Sequence, residues 1–273
     1  MRNGATLKRQ CLPGTVRLLI AASVFAIVEP ALAQVGILKT RPSSSSTWNP
    51  LTPFTIGTGL EFETDSEQTQ YDFPLVVEYN PTQLLQFTLE SAVTHIDGNA
   101  EDVRTVTGLD DLETSVAYEF LRERRYTPAL TGIGLIKWPL ASDSDIGSPG
   151  TDYAIGLIAS KDLVYFDMDL NLLYTFSDDP DQQDTLETSL AASYPLNYKI
   201  ELETEILHSF GTDSWRGKTG PGGAARGGAD ETEITLGFAW HVNPFLTLEQ
   251  GALFRVDGTW QLLFGLQYDF GGE

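Results

Sequence analysis

The chain has 273 residues, 41% of them hydrophobic, and a formal charge of −21 at pH 7. Such acidity argues against binding to nucleic acid or to anionic lipid headgroups. The single cysteine argues against a disulfide framework and thiol chemistry. Because the length fits one domain or two, the pattern along the chain has to decide.

Residues 1–33 have the pattern of a secretory signal peptide. A basic start precedes the apolar stretch LLIAASVFAIVEPALA, which ends in Ala31-Leu32-Ala33 before Gln34. The stretch is short for a membrane helix and contains Glu29 and Pro30, so we expect cleavage rather than anchoring. Cys11 precedes the stretch and therefore cannot be a lipoprotein cysteine. The mature chain then carries 13 basic and 37 acidic residues, a formal charge of −24.

Residues 34–52 are predicted to be a flexible lead-in, because they contain four consecutive serines and two prolines. From Phe54 onward, apolar side chains recur at every second position in one segment after another, the period of a β-strand. Residues 53–273 are therefore predicted to be a single β domain. About twelve such segments are found, each about ten residues long, as a tilted strand needs to cross a bilayer. They lie near 54–62, 71–79, 85–93, 112–120, 128–138, 153–159, 166–176, 186–194, 200–206, 234–240, 246–254 and 260–270. In 128–138, two glycines leave the facing ambiguous.

The connections between these segments alternate in length. Tight turns such as NPTQ (80–83) and PLNY (195–198) alternate with loops such as 96–108, 141–151 and 211–230, and only VDGT (256–259) breaks the rule. Short turns on one rim and long loops on the other are typical of outer-membrane barrels. The sequence therefore predicts an all-β fold, a transmembrane antiparallel up-and-down barrel of about twelve strands with both ends on the periplasmic rim.

The stretch FDMDLNLLYTF (166–176) shows how the two faces differ. Its even-numbered side chains, from Phe166 to Phe176, are apolar, whereas Asp167, Asp169 and Asn171 lie on the other face with Leu173 as the exception. A secreted β-sandwich would also alternate. A closed sheet of twelve strands, however, encloses more space than side chains fill, so the apolar face is assigned to lipid and the polar face to a lumen. Aromatic residues near strand ends fit two interface girdles: Tyr79, Tyr194, Trp240 and Phe270 on one side, and Phe62, Phe176, Phe254 and Trp260 on the other.

Four segments of the chain resemble the outer-membrane family named for the meta-pathway of phenol degradation. They are TGLDDLETSVAYEF (107–120), IKWPLASDSDIGSPGTDYAIGLIASKDL (136–163), LLYTFSDDPDQQDT (172–185) and LLFGLQYDF (262–270). The likeness covers roughly residues 55–270. It implies a monomeric barrel and uptake of small or aromatic compounds. The sequence differs from the family at Asp110, where glycine is usual, and at 139–143, where the family has Pro-Thr-Gly-Asp. It also continues with three residues after Phe270, on which the family tends to end.

Lumen-lining acids are the sharpest site prediction. Glu201, Glu203 and Glu205 alternate along one strand, so neighbouring carboxylates are about 7 Å apart on one face. Few bases are available to balance the lumen acids, with Lys137, Lys199 and Arg255 as candidates, and a net negative lumen follows. The residues predicted to set selectivity are Asp167, Asp169, Asn171, Glu187, Glu201, Glu203, Glu205, Glu233, Glu249, Lys137 and Arg255.

Three other groups of residues suggest a function but also have ordinary structural explanations. His208 and Ser209 could begin a hydrolase site, as in outer-membrane lipases, but adjacent residues of a strand point to opposite faces. Asp143, Asp145 and Asp152 could bind Ca²⁺, but their spacing is not that of a calcium loop, and a solvated acidic loop is favoured. The glycine-rich segment 220–228 opens no predicted helix and is interpreted as a surface loop rather than a phosphate site.

The sequence thus predicts an exported protein of the Gram-negative outer membrane that is not an enzyme. Its function is predicted to be a channel for small molecules, aromatic or apolar compounds among them, with a cation-preferring lumen. The alternatives are a structural or surface-display barrel without conductance and, as the less favoured one, a lipid hydrolase. No cofactor or metal is expected. The predicted partners are outer-membrane lipid, small solutes and, through the last strand, the barrel-assembly machinery, but not nucleic acid.

Overall fold

The computed structural model describes residues 53–64, 68–98, 104–178, 183–212 and 231–270. The predicted signal peptide, the lead-in and the glycine-rich segment 220–228 lie outside the described residues. In the described part of the chain, no helix has the length and apolar composition of a membrane span. The described residues form thirteen β-strands: β1 (Phe54–Thr64), β2 (Gln68–Thr82), β3 (Leu85–Gly98), β4 (Val106–Leu109), β5 (Leu112–Leu121), β6 (Ala129–Trp138), β7 (Asp152–Asp162), β8 (Asp167–Phe176), β9 (Asp184–Asn197), β10 (Ile200–Thr212), β11 (Glu231–Asn243), β12 (Leu246–Arg255) and β13 (Trp260–Phe270).

The strands form one closed antiparallel sheet. Consecutive strands pair with one another except β4 and β5, β1 pairs with β13, and the additional β2–β3 pairing completes the circle. Short β4 and longer β5 both pair with β3, so that together they occupy one position. The barrel therefore has twelve positions, as predicted. Closure gives every position of the barrel two neighbouring positions, as a sheet in hydrocarbon requires.

The two rims of the barrel differ as the connection lengths predicted. One rim, here called the short-turn rim, carries the β2–β3, β5–β6, β7–β8, β9–β10 and β11–β12 turns. Both ends of the sheet lie there too, since Phe54 is opposite Phe270. The opposite rim, here called the loop rim, carries the remaining connections, including residues 139–151 between β6 and β7.

The outer face of the sheet is apolar and exposed. Among its side chains, Ile155 is 63% exposed, while Ile206 and Leu236 are each 53% exposed. A soluble protein rarely exposes so much contiguous apolar surface, whereas a transmembrane barrel presents it to lipid. The predicted aromatic girdles are confirmed at both rims. Phe54 and Phe270 have ring centroids 5.8 Å apart near the short-turn rim, and Phe62 and Trp260 are equally close near the loop rim.

Strand β6 has apolar or glycine residues on both faces, so its sequence pattern does not show which face points inward. The structure shows it. Lys137 is opposite Glu113, and Leu112 is opposite Trp138, so the odd-numbered side chains of β6 point inward. Ile133 and Leu135 therefore lie on the inner face. The facing is fixed by the register, because a slip of one residue would turn every side chain of the strand to the other face and move Lys137 away from Asp152.

Candidate functional site

The inner wall of the barrel is the candidate site, and the structure places all eleven predicted residues on it. Burial alternates along the strands in step with the pairing register, so that inward-pointing side chains are identified strand by strand. The acids on β8, β9, β10, β11 and β12 and the bases on β6 and β12 all point inward. Their placement agrees with the sequence analysis, whereas their role in selectivity stays a prediction.

The carboxylates of β10 occupy a row flanked by small residues. Glu203 lies between Ser193 of β9 and Gly237 of β11, and Glu205 lies opposite Ala191. Small neighbours leave room for a long side chain to lie along the wall. Glu203 and Glu205 are accordingly buried, at 5% and 1% exposure. This part of the wall is densely packed rather than a set of side chains extending into open space.

A second group of predicted residues lies on β8 and β9. Asp169 is buried and accepts a hydrogen bond from the Ser160 hydroxyl of β7. Asp167 lies opposite Ser193 near the short-turn rim. Asn171 lies two residues beyond Asp169 on the same inner face, and Glu187 of β9 lies opposite Leu173. These side chains extend the acidic wall across two strands.

Arg255 joins three strands on the inner face near the loop rim. Its guanidinium lies 2.8 Å from carboxylate oxygens of both Glu63 and Glu233, and 3.2 Å from Glu231. Since Glu63 belongs to β1 and Arg255 to β12, the cluster crosses β13. A guanidinium presents several donors in one plane, so it can serve several carboxylates at once.

Lys137, the other base, is committed to one carboxylate. Its ammonium lies 2.5 Å from Asp152 of the adjacent β7, and Asp152 also accepts a hydrogen bond from Ser177. Lys199, named as a third lumen base, was predicted wrongly. It lies in the β9–β10 turn at the short-turn rim, where its ammonium is 5.6 Å from the ring centre of Tyr198. A turn residue has no strand register to direct it inward.

Further inward carboxylates were not singled out from the sequence. Asp72 accepts a hydrogen bond from Thr94 at 2.6 Å, and Asp269 accepts one from Thr55 at 2.8 Å, so hydroxyls of neighbouring strands satisfy these acids. The alternation rule applied to the first strands would have found them. These additional inward acids are Glu61, Glu63, Asp72, Glu78, Glu90, Glu113, Glu119, Asp152, Glu231 and Asp269.

One stretch of the inner wall is apolar. Ile133 of β6, Gly156 of β7 and Leu173 of β8 lie side by side across three strands. A Cβ atom at Gly156 would lie 2.9 Å from Ile133 Cγ2 and 2.8 Å from Leu173 Cδ1, so both side chains lean over the glycine. Ile158, two residues along, is 2% exposed. The acidic lumen therefore has an apolar strip on one side.

The hydrolase candidate does not assemble. His208 lies on the outer face, where its Nδ1 is 2.7 Å from Thr232 Oγ1 and its ring packs edge-on against Phe210. Ser209 lies on the inner face, opposite Glu187 and Glu231. The sheet thus separates the histidine from the serine, as predicted. A general base must reach the proton that it removes.

The three aspartates considered for calcium are paired with two different basic side chains. The carboxylates of Asp143 and Asp145 lie 2.6 and 3.1 Å from the guanidinium of Arg104, while Asp152 pairs with Lys137. A calcium site would need several of their oxygens around one point. Among the described residues, no group of three or more His, Cys, Asp or Glu side chains is arranged to hold a metal ion.

The size of the enclosed space follows from the strand number. Twelve strands about 4.8 Å apart and tilted by about 40° give a circumference of roughly 75 Å and a backbone-to-backbone diameter of roughly 24 Å. Inward side chains of about 6 Å on each side leave roughly 12 Å across. A lumen of that width would accommodate small molecules. Any part of the chain that enters the lumen would narrow the passage.

Comparison with known proteins gives information on the fold. No family model matches the sequence, and no curated protein matches it. Solved structures do match. The COG4313 outer membrane channel from Pseudomonas putida F1 has a TM-score of 0.66 at 15% identity, over 82% of this chain and 98% of that chain. The NanC porin has a TM-score of 0.57 at 11% identity, over 78% and 98%. A KdgM porin in complex with disordered oligogalacturonate has a TM-score of 0.55 at 11% identity, over 79% and 99%.

At these identities the likeness concerns the fold alone. It agrees with the closed sheet, the apolar outer face and the two aromatic girdles. The protein is therefore an all-β, porin-like barrel of the outer-membrane type.

Proposed function

We propose that this barrel is an outer-membrane channel for small solutes and that its acidic lumen favours cations. The observation that carries the proposal is the contrast between the two faces of one sheet, apolar outside and rich in carboxylates inside. A barrel that served only as a scaffold would have no use for so many inward acids, each of which costs free energy to bury. One channel and two porins are among the similar structures, which supports the same function.

The charge preference rests on the inward side chains. Within the described strands, acids point inward from every position of the barrel except β6, and the lysine and arginine side chains that do so are Lys137 and Arg255. Both bases are already within ion-pair distance of carboxylates. Rings of carboxylates favour cations in pores, and confinement reduces the screening of their field.

The apolar strip around Ile133 and Leu173 supports the choice of solute. It lies on the same inner wall as the acids, so a solute with a cationic group and an apolar body could contact both. The resemblance of the sequence to the family named for phenol degradation suggests aromatic compounds, and the acidic lumen adds the preference for cations. We therefore propose that aromatic cations pass more readily than aromatic anions.

Vesicle flux of permanently charged solutes tests this proposal, because such solutes do not cross lipid unaided. Purified barrel is reconstituted, and the uptake of benzyltrimethylammonium, benzenesulfonate and tetraethylammonium is compared with that of empty vesicles. We expect benzyltrimethylammonium to enter faster than benzenesulfonate, and this comparison tests the charge preference. We also expect it to enter faster than tetraethylammonium, and this comparison tests the contribution of the apolar strip. Faster sulfonate uptake would contradict the acidic-lumen proposal. Absence of uptake for all three would favour a structural barrel without conductance.

A further inference from the structure

The connection between β6 and β7, residues 139–151, lies on the lumen side of the wall. Thr94 of β3 is 2% exposed, points inward and is opposite Gly108 of β4. A Cβ atom at Gly108 would therefore point inward, and it would lie 2.8 Å from Ile146 Cδ1 and 3.4 Å from Ser142 Cβ. Since both contacts belong to the β6–β7 connection, this segment is folded into the barrel rather than away from it. We call residues 139–151 the inner loop.

Asp111 fixes the inner loop at two points. One oxygen of its carboxylate accepts the backbone N–H of Ala141 at 3.0 Å, and the other accepts the N–H of Ser148 at 2.9 Å. Asp111 is 6% exposed. A Cβ atom at Gly147 would lie 2.7 Å from the same carboxylate, so only glycine allows the loop to approach so closely. One buried side chain thus holds both ends of the loop.

The irregularity between β4 and β5 is what makes Asp111 available. The backbone N–H of Asp110 donates to the Ala92 carbonyl, and the Asp110 carboxylate accepts the N–H of Asp111 at 2.6 Å. The ladder between β3 and its neighbour is interrupted here, and the two aspartates fall in the gap between β4 and β5. Asp110 stabilises the break, while Asp111 turns its carboxylate to the loop.

Other contacts to the inner loop are more exposed. Ser142 donates its N–H to the Leu109 carbonyl at 2.9 Å and accepts the Leu109 N–H at its hydroxyl at 2.8 Å. Arg104 pairs with Asp143 and Asp145, but its side chain is 63% exposed. Exposed ion pairs contribute little to stability, whereas amide hydrogen bonds to a buried carboxylate are among the stronger ones. Asp111 is therefore the contact on which the loop position should depend most.

The inner loop reduces the passage. A layer of chain with its side chains is about 10 Å thick, close to the roughly 12 Å that the wall side chains leave open. Between the loop and the wall there is a cavity of about 550 Å³, a volume fit for a small molecule. Its lining includes Glu90, Glu113 and Lys137 of the wall and Ser144, Ile146 and Ser148 of the loop.

We propose that the inner loop is a fixed constriction that sets the size limit of the channel, with Asp111 as its positioning residue. This inference rests on the proposed channel function. Solutes then pass the loop rim through the cavity, where they meet carboxylates, an ammonium and hydroxyls. The constriction admits small polar solutes and excludes larger ones on size.

Single-channel recording of Asp111→Ala tests the constriction. The parent protein, Asp111→Ala and the control Asp257→Ala are compared in planar bilayers, and all three are checked for heat-modifiable migration on gels. Asp257 is a carboxylate of the β12–β13 turn that accepts the Thr259 N–H, so the control removes one rim charge without touching the inner loop. We expect Asp111→Ala to raise conductance at least about twofold, since a layer about 10 Å thick covers most of the roughly 12 Å opening. Asp257→Ala should retain the parental value.

A disulfide tests the position of the loop independently. The Cβ positions of residues 108 and 142 are 3.4 Å apart, close to the range of disulfides. The pair Gly108→Cys and Ser142→Cys, with Cys11→Ser, should therefore oxidise and hold the loop inward. Added to Asp111→Ala, the disulfide should restore parental conductance, and reduction should release it again. A variant that merely misfolds would not show this reversible rescue.

The outcomes separate the two proposals. If the parent conducts and Asp111→Ala conducts equally, the channel stands and the constriction is wrong. If the parent does not conduct but Asp111→Ala does, the proposed constriction is supported. The proposal that the parent protein is an open channel is then refuted. If no variant conducts, or if the two cysteines do not oxidise, the constriction is refuted.

Discussion

Leu170 offers the sharpest test of which face meets lipid. It points outward from β8, is 46% exposed, and lies four residues from Phe166 on one side and from Tyr174 on the other. At about 3.3 Å per residue and about 40° of tilt, each aromatic is roughly 10 Å away along the membrane normal. Leu170 therefore lies near the middle of the apolar band. Arginine at that depth costs about 2–4 kcal/mol, so Leu170→Arg should lower the folding constant about 30- to 700-fold.

The neighbouring position provides the matched control. Asn171 points inward, with the Asp169 carboxylate two residues away on the same face. Asn171→Arg introduces the same side chain beside acids rather than lipid, so we expect a change below about 1 kcal/mol. Both variants are folded into vesicles across a urea series and followed by tryptophan fluorescence and by migration of unheated samples on gels. Equal losses at the two positions, or a larger loss at Asn171, would refute the assigned facing.

The remaining predictions concern the inner cluster, a turn and the hydrolase candidate. Arg255→Gln should destabilise the barrel by about 1–3 kcal/mol in urea titrations, because it leaves three carboxylates crowded together, and adding Glu63→Gln should recover part of the loss. Val164→Gly should stabilise the barrel by about 1 kcal/mol in the same assay. Val164 has φ of +74° in the β7–β8 turn, a conformation in which β-branched side chains are strained. An unchanged free energy of unfolding would mean that the turn is not strained. The parent protein, His208→Ala and Ser209→Ala should all show ester hydrolysis no faster than empty vesicles. Hydrolysis by the parent that is lost in either variant would support the hydrolase alternative.

The barrel itself could be predicted because its alternation is a local property of the sequence. Each strand repeats the period of two, and the assignment of Asp167 and Leu170 to opposite faces needed only that rule. Strand β6 could not be assigned in this way, since both of its faces contain apolar or glycine residues. Its facing depends on pairing between Lys137 and the acids of neighbouring strands. Such pairing is a tertiary fact that no local pattern contains.

The inner loop could not be predicted for a similar reason. The sequence of 139–151 has the composition of an ordinary surface loop, and Asp143 and Asp145 even suggested a solvated acidic segment. Its inward position depends on contacts with Asp111, about thirty residues earlier in the chain. The one local signal was the pair Asp110-Asp111 at the start of a predicted strand, since two adjacent acids break the alternation. The prediction for Lys199 was wrong for the same reason, because the side chain of a turn residue is positioned by its surroundings rather than by strand register.

Reversal potential across a salt gradient tests the acidic, cation-preferring lumen most directly. The parent barrel and a variant with Glu201, Glu203 and Glu205 changed to Gln are recorded in planar bilayers with about 0.1 M KCl on one side and about 1 M on the other. The Debye length falls from about 10 Å to about 3 Å between these concentrations, so the preference should be largest when both sides are dilute. The account predicts cation preference in the parent and a clear reduction in the triple variant. Anion preference in the parent, or an unchanged potential in the variant, would contradict it.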